Sequence, residues 1–238
     1  MRIMITGATS GIGKALTVAY AGAGHQVIAC GRSADKLDEL NQNSSYIDSL
    51  CFDLTDFDNY PNLTSEQTGL DLLIFNAGDC EYIDDALNFD AKRFERVINI
   101  NLISVAYGLQ AWLKHLKPGG RLVLVSSSAR FLPLPRAEAY GASKAALSYL
   151  GRTLAIDLEK HQLAVTTVHP GFVDTPLTER NTFAMPMIVS SEQAAAKIIQ
   201  GLDKGLDEIS FPSVFIFFMK CLRCLPFSWW RKIAKRIV

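Results

Sequence analysis

The sequence predicts a single α/β domain in which helices cover both faces of a doubly wound parallel sheet of seven strands. Three observations support this fold class. The chain has 238 residues, of which 49% are hydrophobic, and this is enough for one sizeable core. Short apolar runs alternate with longer amphipathic segments, as expected when helices connect parallel strands. A glycine-rich turn joins the first apolar run to the first amphipathic segment.

Each predicted strand is a short apolar run that is followed by small or polar residues. The strands cover residues 2–6, 25–30, 46–52, 70–75, 121–125, 164–168 and 208–211. The predicted helices cover residues 14–21, 33–42, 89–116, 137–160 and 191–201. The link between the third and fourth strands is polar and contains Pro61, so we expect only a short helix there. We assign residues 1–212 to a Rossmann-like domain and residues 213–238 to a C-terminal tail.

The turn after the first strand has the composition of a phosphate-binding loop. Gly7 permits a tight turn, while Gly11 and Gly13 let the backbone approach a pyrophosphate at the start of the first helix. A strand, a glycine turn and a helix in this order predict a dinucleotide site. Its candidate residues are Thr6, Gly7, Ser10, Gly11, Ile12 and Gly13.

The end of the second strand favours NADP(H) over NAD(H). Many nicotinamide sites have an acidic residue here for the adenosine ribose, whereas this chain has Gly31 and Arg32. Arg binds a 2′-phosphate through forked, charge-assisted hydrogen bonds, and a carboxylate would repel it. Alternatively, Arg32 is a solvated surface residue. Ser33, Asp53 and Leu54 complete this part of the predicted site, where Asp53 either accepts from the adenine amino group or caps the chain that follows.

Small and polar residues also follow the other strands. Ligands of open α/β sheets bind outside the carboxyl ends of the strands, so these residues should converge at one edge of the sheet. They are Asn76, Ala77 and Gly78 after the fourth strand, Ser127 after the fifth, and Pro170 and Gly171 after the sixth. This convergence predicts a dinucleotide-dependent enzyme.

Tyr140 and Lys144 lie four residues apart at the start of a predicted helix and therefore share one face. The pKa of a free phenol, near ~10, is too high for acid–base catalysis at neutral pH. A fixed ammonium beside the phenol would lower that pKa. The two residues are therefore a candidate proton-transfer pair, although the same spacing also occurs in solvated helix turns.

Together these motifs resemble the short-chain dehydrogenase/reductase family, whose order and spacing they follow between residues 6 and 175. The matching motifs are Thr6-Gly7-x-x-x-Gly11-Ile12-Gly13, Asn76-Ala77-Gly78, Asn101, Ser127, Tyr140-x-x-x-Lys144 and Pro170-Gly171-x-x-x-Thr175. The chain departs from the family in two places. Phe75 stands where the family usually has Asn, and the segment between the third and fourth strands is abbreviated.

The resemblance implies a role for each catalytic candidate. Tyr140 is the general acid in reduction and the base in oxidation, while Lys144 lowers its pKa and holds the nicotinamide ribose. Ser127 hydrogen-bonds the substrate oxygen, and Asn101 orders a water that relays protons to Lys144. The structural alternatives are a strand-end cap for Ser127 and a satisfied core amide for Asn101. Val173 and Thr175 are implied to hold the carboxamide.

The family also implies a small carbonyl or alcohol substrate and a homodimer or homotetramer. Pairing would use the helices of residues 89–116 and 137–160. The loops that would form the substrate pocket, residues 131–136 and 172–189, are rich in Phe, Leu, Met and Pro and favour an apolar substrate. Two other functions are considered. A non-catalytic NADP(H)-binding sensor tends to lose the Tyr or the Lys, and a sugar-nucleotide epimerase usually has a longer substrate domain.

The sequence predicts a cytoplasmic protein. It opens directly with a strand and not with a signal peptide, and its five cysteines show no pairing pattern, so we expect reduced thiols. Cys221 and Cys224 form a CxxC without further ligands nearby, so no metal site is predicted. The formal net charge is zero, and we expect no nucleic-acid partner.

The C-terminal tail has a different composition from the rest of the chain. Residues 209–238 contain six Lys and Arg and no Asp or Glu. Residues 213–225 are almost wholly apolar, Pro226 ends this run, and Ser228 is placed to cap a second helix. On that helix the apolar positions are Trp229, Trp230, Ile233, Ala234, Ile237 and Val238, and the basic positions are Arg231, Lys232, Lys235 and Arg236.

This pattern is typical of a helix that lies in a membrane interface. Neither tail segment has the ~20 apolar residues needed to span a bilayer. One interpretation is peripheral contact with the cytoplasmic face of a membrane. The other is that the tail packs on its own domain or on a partner subunit and closes the substrate pocket. The two can coexist if the substrate arrives from lipid.

Overall fold

The computed structural model describes residues 1–181 and 183–236 and contains the predicted seven-stranded parallel sheet, in the order β3-β2-β1-β4-β5-β6-β7. The strands are β1 (Arg2–Thr6), β2 (Gln26–Gly31), β3 (Ile47–Cys51), β4 (Leu70–Phe75), β5 (Leu116–Val125), β6 (Ala164–Pro170) and β7 (Glu208–Phe211). The helices are α1 (Gly11–Gly22), α2 (Ala34–Asn43), α3 (Ala91–Ile98), α4 (Ser104–Trp112), α5 (Glu138–Leu158), α6 (Ser191–Asp203), α7 (Ser213–Arg223) and α8 (Phe227–Ala234). The predicted fold class is confirmed.

Alternating strand residues supply two cores, one on each face of the sheet. In β1, Ile3 and Ile5 face the core beneath α1 and α6, and Met4 faces the core beneath α4 and α5. Because both faces are covered, the central strands are continuous apolar runs. The switch in strand order between β1 and β4 opens a crevice at the carboxyl ends of these strands.

The predicted helix over residues 89–116 is interrupted in the structure. α3 is followed by a π-helical turn, Asn99–Ile103, and then by α4, which ends at Trp112. β5 begins at Leu116 and not at residue 121, because Leu116 pairs with Leu70 before the register shifts. The prediction of one long helix was therefore wrong in detail, and the π turn places Asn101 against the site.

The Phe75 departure from the family pattern is explained by packing. Phe75 is buried and stacks on Trp112 with ring centroids 6.1 Å apart. A Cβ at Gly108 would lie 2.4 Å from the Phe75 ring, so the ring fills the space beside α4. The abbreviated link between β3 and β4 contains a short 3-10 helix at Ser65–Gln67.

The tail folds back onto the domain. The inner sides of α7 and α8 form a buried cluster with Phe131 and Leu132, and Trp230 donates a hydrogen bond from Nε1 to the Pro133 carbonyl oxygen (2.9 Å). The predicted cap at Ser228 was wrong. Pro226 occupies the cap position, and its carbonyl accepts from the amides of residues 229 and 230.

The predicted periodicity of the tail reaches Ile237 and Val238, which lie outside the described residues. Among residues 1–181 and 183–236, no helix combines the length and the apolar character that crossing a bilayer requires. The division into a domain of residues 1–212 and a tail of residues 213–238 remains a prediction.

Candidate active site

The glycine turn after β1 is built by close backbone contacts. Gly7 has φ +68°, and a Cβ there would lie 2.9 Å from the Cα of Ala77. A Cβ at Gly13 would lie only 2.1 Å from the carbonyl oxygen of Gly7. The glycines are required because no side chain fits between the turn, the helix and the end of β4.

Side chains at the ends of β1 and β4 fasten this turn to the sheet. Thr6 Oγ1 accepts hydrogen bonds from the amides of Asn76 (3.1 Å) and Ala77 (3.2 Å). Asn76 Nδ2 donates to the carbonyl oxygens of Thr6 (3.1 Å) and Gly7 (3.3 Å). Thr6 and Asn76 therefore support the turn, and the backbone between Gly7 and Gly13 faces the cleft.

The start of α1 offers unpaired donors to the cleft. Ser10 precedes the helix but makes no side-chain cap, and the first turn contains no acidic residue. The backbone N–H groups at the N-terminus of a helix attract anions, as does the positive end of the helix dipole. Gly11 and Ile12 line the cleft here, next to Thr9, which the sequence analysis did not select.

Arg32 lies at the carboxyl end of β2 and is well exposed. Its guanidinium is 3.8 Å from Asp53 Oδ2, a loose and solvent-exposed ion pair. Burial raises the pKa of Asp53, but hydrogen bonds from Thr55 and the charge of Arg32 more than offset this and lower the pKa overall. Leu54 also lines this part of the cleft. Ser33, in contrast, caps α2 by accepting from the Lys36 amide.

Tyr140, Ser127 and Lys144 line the same cleft, where Tyr140 and Ser127 are hydrogen-bonded to each other. Tyr140 and Lys144 lie in the first two turns of α5, and Lys144 Nζ is 5.8 Å from the centre of the Tyr140 ring. Lys144 Nζ also donates to the Val125 carbonyl oxygen at 2.9 Å. The neighbouring Ser126 hydroxyl donates to the Lys144 carbonyl oxygen, whereas Ser127 Oγ accepts from the Ala129 amide (3.1 Å), and both serines line the cleft.

The electrostatics of this group differ from the sequence expectation. Desolvation raises the pKa of Tyr140, the nearby Cys80 thiol raises it further, and hydrogen bonding with Ser127 lowers it. Lys144 was expected to lower the pKa of Tyr140, but burial lowers the pKa of Lys144 itself to about 8. Desolvation is therefore the largest cause of both shifts, since burial disfavours the charged ammonium as it disfavours the phenolate.

Asn101 lies in the π turn and is fully buried behind the cleft. Its Oδ1 accepts from the Asp79 amide (2.7 Å), and its Nδ2 donates to the Asp79 carbonyl oxygen (2.8 Å) and to Ser143 Oγ (2.9 Å). A Cβ at Gly78 would lie 3.1 Å from Asn101 Oδ1 and 3.2 Å from Lys144 Nζ. Both side chains therefore approach Gly78, and the Asn101 amide is satisfied by Asp79 and Ser143, so its role in a proton relay remains a prediction.

The segment after β6 forms the other wall of the cleft. Pro170 and Gly171 end the strand, and Val173 forms an isolated bridge with Val189. Thr178 Oγ1 donates to the Val173 carbonyl oxygen (2.6 Å) and pairs with Thr175 Oγ1 (3.2 Å). These bonds hold Val173 and Thr175 in place at the cleft.

Most of the predicted site residues thus line one continuous cleft, which is further lined by residues that the sequence analysis did not select. The exceptions are Thr6, Gly13, Ser33 and Asn101, which stand behind its surface or beside it. The additional lining residues include Thr9, Phe52, Asp79, Leu177 and Arg180. Arg180 pairs with Asp79 across the cleft at 3.2 Å, a contact between distant segments that no local pattern indicates.

A cluster of aromatic rings from distant parts of the chain adjoins the cleft at Phe172, whose neighbours Gly171 and Val173 line it. Phe172 contacts Phe183 (6.1 Å between centroids) and Phe215 of α7 (5.5 Å), and Tyr82 contacts Phe183 (5.8 Å). Tyr82 also hydrogen-bonds Asn181 Oδ1 (2.9 Å). Several residues of the loop 172–189 line the cleft, and Thr182 lies outside the described residues; that this loop binds substrate remains a prediction.

The cleft fits a dinucleotide on two grounds. Added Cβ atoms at Gly7 and Gly13 would collide with the backbone, so the close approach of the turn is specific to these glycines. The N-terminus of α1 presents donors where a pyrophosphate would lie. The fold and the cleft together define a Rossmann-type nucleotide-binding protein with a Tyr-Lys pair beside the nucleotide site.

Comparisons with known proteins agree with this class. The family described as short chain dehydrogenase matches residues 1–185. The chain is 32% identical to an uncharacterized oxidoreductase of Myxococcus xanthus, covering 98% of this chain and 96% of that protein. It is 31% identical to the L-xylulose reductase of Mus musculus, covering 76% and 75%, and 33% identical to the 3-oxoacyl-(acyl-carrier-protein) reductase of Thermotoga maritima, covering 74% and 76%.

Among solved structures, the fold is similar to the closed form of a serine dehydrogenase complexed with NADP+. The TM-score is 0.80 at 24% identity, covering 89% of this chain and 94% of that one. The family match over residues 1–185 and the 32% identical relative show that the chain belongs to the short-chain dehydrogenase/reductase family, as the motifs indicated. Members of this family are oxidoreductases that bind a nicotinamide cofactor and act on small carbonyl or alcohol compounds.

Proposed function

We propose that this protein is an NADP(H)-dependent reductase of a ketone or aldehyde, or a dehydrogenase of the matching alcohol. The observation that carries the proposal is the meeting of Tyr140, Ser127 and Lys144 in the same cleft as the glycine turn. The bound nicotinamide would supply or accept the hydride. The chain itself would position the substrate and move the proton.

In the proposed reaction, Tyr140 donates its phenolic proton to the carbonyl oxygen as the hydride arrives. Ser127 hydrogen-bonds the same oxygen and stabilises the charge that develops on it. Lys144 would hold the nicotinamide ribose and help to restore the proton that Tyr140 gives up, and a water ordered by Asn101 would relay protons to Lys144. The raised pKa of Tyr140 favours the protonated phenol, the form that reduction needs.

Tyr140→Phe tests this assignment. It removes the proton donor but keeps the ring, so turnover should fall by about 10² to 10⁴-fold. NADPH binding, followed by the change in nucleotide fluorescence, should remain nearly intact. Full turnover by the variant on a carbonyl that the parent reduces would exclude Tyr140 as the acid. NADPH binding without turnover by the parent over a graded carbonyl series would favour the alternative, a non-catalytic sensor.

The preference for NADP(H) rests on Arg32. It is a solvent-accessible cation at the end of β2, and its ion pair with Asp53 is long and exposed, so the guanidinium is available to a 2′-phosphate. No acidic residue occupies the position after β2 where an NAD-binding carboxylate is expected, since the strand runs into Gly31 and Arg32.

An apolar substrate is supported by the aromatic wall around Phe172, Phe183 and Phe215. The names of the relatives include a sugar reductase and an acyl reductase, which differ in polarity. The aromatic cluster beside the cleft favours an apolar carbonyl substrate, as in an acyl chain, over a sugar. An activity screen with NADPH against carbonyl compounds of graded chain length would identify the class.

We also propose a homodimer or homotetramer that forms through the helices at residues 89–116 and 137–160. Tyr149 and Ile156 support this, because they lie seven residues apart on one face of α5 and are strongly exposed. A monomeric mass at micromolar concentration would contradict it.

The five cysteines are unpaired, in keeping with the proposed cytoplasmic location. Contact of the tail with a lipid surface is a separate proposal that depends on α7 and α8.

A further inference from the structure

We propose that the outer faces of α7 and α8 form a docking surface for an anionic membrane. The surface goes beyond the active site and consists of residues that the fold of the domain does not use. Its occupant is the headgroup region of a bilayer that contains anionic lipid.

α7 has two apolar faces, and the domain covers only one of them. Ile216 and Met219 are buried in the cluster with Phe131. Val214, Phe217, Phe218 and Cys221 recur at helical spacing on the opposite side and are exposed, with 64% of Phe217 and 57% of Phe218 accessible. A helix that is apolar on both sides requires a second apolar environment.

α8 repeats this division, with one tryptophan on each side. Trp230 and Ala234 are buried in the same cluster as α7, whereas Trp229 is 62% exposed and Ile233 is exposed beside it. Because α7 and α8 both bury their inner sides in one cluster, their outer sides face away from the domain. Tryptophan at such a position is favoured at headgroup depth, where its ring is apolar and its N–H can be hydrated.

Basic residues accompany the exposed apolar stripe. Lys232 lies three residues after Trp229 on α8 and therefore shares its face, and Arg236 follows in the turn just beyond the end of the helix. Residues 209–238 contain no Asp or Glu, and among the described residues of the tail an ion pair with a carboxylate is recorded for Lys220 alone, with Glu208. The remaining tail cations are exposed, so the charge of the surface is complementary to anionic headgroups.

The size of the helices agrees with a surface location. Neither α7 nor α8 could cross a bilayer, and both carry cations at their ends, as interfacial helices do. An acidic protein partner would be served by the charges alone and would not require four exposed apolar side chains on one face of α7. A lipid surface uses both features at once.

The docking surface is also continuous with the substrate side of the cleft. Phe215 lies on α7 between the two faces and contacts Phe172 of the substrate loop. Contact of α7 with lipid would therefore bring the aromatic wall of the pocket close to the bilayer. This consequence depends on the proposed reductase function, whereas the docking itself does not.

Sedimentation with vesicles tests the proposal without measuring turnover. The full chain is mixed at low salt with vesicles of phosphatidylcholine alone or with added phosphatidylglycerol. We expect the chain to sediment only with the anionic vesicles and to be released by salt. Phe217→Ser with Phe218→Ser, and separately Lys232→Glu with Arg236→Glu, should each weaken binding about tenfold or more.

Matched controls distinguish binding through the tail from nonspecific adsorption of the protein to vesicles. Val18→Ser with Leu87→Ser removes exposed apolar side chains elsewhere, and Lys92→Glu with Lys197→Glu reverses exposed charges elsewhere. Both controls should bind like the parent. The proposal is overturned if the parent stays in the supernatant, if it binds neutral vesicles equally well, or if controls and tail variants behave alike.

The test also distinguishes lipid from a second copy of the chain. If Phe217→Ser with Phe218→Ser lowers the oligomeric mass in the absence of vesicles, the face is a subunit contact and the membrane proposal fails. A chain that binds vesicles but reduces no carbonyl compound contradicts the proposed function and leaves the docking surface intact.

Discussion

The two sides of the cleft are built in different ways. On the cofactor side, the backbone of the glycine turn passes so close to the end of β4 that a single added carbon would collide with it. On the substrate side, rings from distant segments contact one another, including Phe172, Phe183 and Phe215. The first side is made by the main chain and the second by side chains.

This difference implies different tolerances to change. A backbone-built surface has one shape, because any new Cβ must displace main-chain atoms. A wall of aromatic side chains can exchange one apolar residue for another of similar volume at a modest cost in stability. The same cofactor site can therefore serve many substrates.

The strongest test on the cofactor side is Gly13→Ala. The new Cβ would lie 2.1 Å from the Gly7 carbonyl oxygen, so the turn must move. We expect the affinity for NADPH to fall by about 100-fold or more because the turn no longer supports the pyrophosphate. Titration of nucleotide fluorescence would measure this.

Gly22→Ala is the matched control at the other end of α1. A Cβ there meets no atom within 4 Å, and alanine in place of glycine in a helix should stabilise it by about 0.5–1 kcal/mol. Unchanged NADPH affinity in Gly13→Ala would show that the turn adapts and that the cofactor side is less rigid than its contacts indicate.

The corresponding test on the substrate side is Trp230→Ala. Trp230 is 3% exposed, fills the cluster under α7 and donates to the Pro133 carbonyl oxygen. Its removal should destabilise the tail by about 3–5 kcal/mol. Hydrogen exchange should then show the tail opening before the sheet, and KM for apolar substrates should rise while NADPH affinity is kept.

Trp229→Ala is the control, since this neighbouring ring is largely exposed and outside the cluster. It should change the free energy of unfolding by less than about 0.5 kcal/mol. Equal destabilisation by the two substitutions would mean that the tail is not held as the structure shows.

The two sides also differ in how far the sequence predicts them. Gly7, Gly11 and Gly13 follow a strand and precede a helix, so the cofactor turn could be located from local spacing alone. Thr9 and Arg180 were missed. The contact of Arg180 with Asp79 joins segments about a hundred residues apart, and single-sequence patterns carry no information on such pairs.

For the tail, the sequence predicted two helices but not which tryptophan faces the domain. Trp229 and Trp230 are adjacent and equally apolar, and only the position of Pro133 in the folded chain decides between them. The Ser228 cap was wrong because Pro226 already ends the preceding segment with a carbonyl aimed into α8. Long-range packing decided both points.

Arg32→Ala tests the outer edge of the cofactor side. Here we propose that a side chain, the Arg32 guanidinium, binds the 2′-phosphate, whereas the glycine turn binds through its backbone. Loss of a charge-assisted hydrogen bond to the 2′-phosphate should weaken NADPH binding by about 10- to 100-fold and leave NADH binding little changed. Lys92→Ala, an exposed cation far from the cleft, is the control for net charge. A parent that prefers NADH, or equal losses for both nucleotides, would contradict the assignment.

Lys144 lies between the two sides, and its replacement should separate catalysis from stability. Burial lowers its pKa in the folded state to about 8, from 10.5 for a solvated lysine. Below pH 8 the charged form is present in both states, and burial makes it costly in the folded one. Between pH 8 and 10.5 the unfolded state holds more protons, so the contribution of this group to stability rises with pH.

Lys144→Met removes the buried charge but keeps most of the volume. We expect turnover to be lost and the free energy of unfolding at pH 7 to rise by about 1–3 kcal/mol, since an apolar group replaces a buried ammonium. The gain over the parent should be largest below pH 8 and should shrink as pH approaches 10.5. Urea unfolding across this range would measure it, with the exposed Lys160→Met as control. A gain that is independent of pH would mean that Lys144 is not held as a costly cation between the two sides of the cleft.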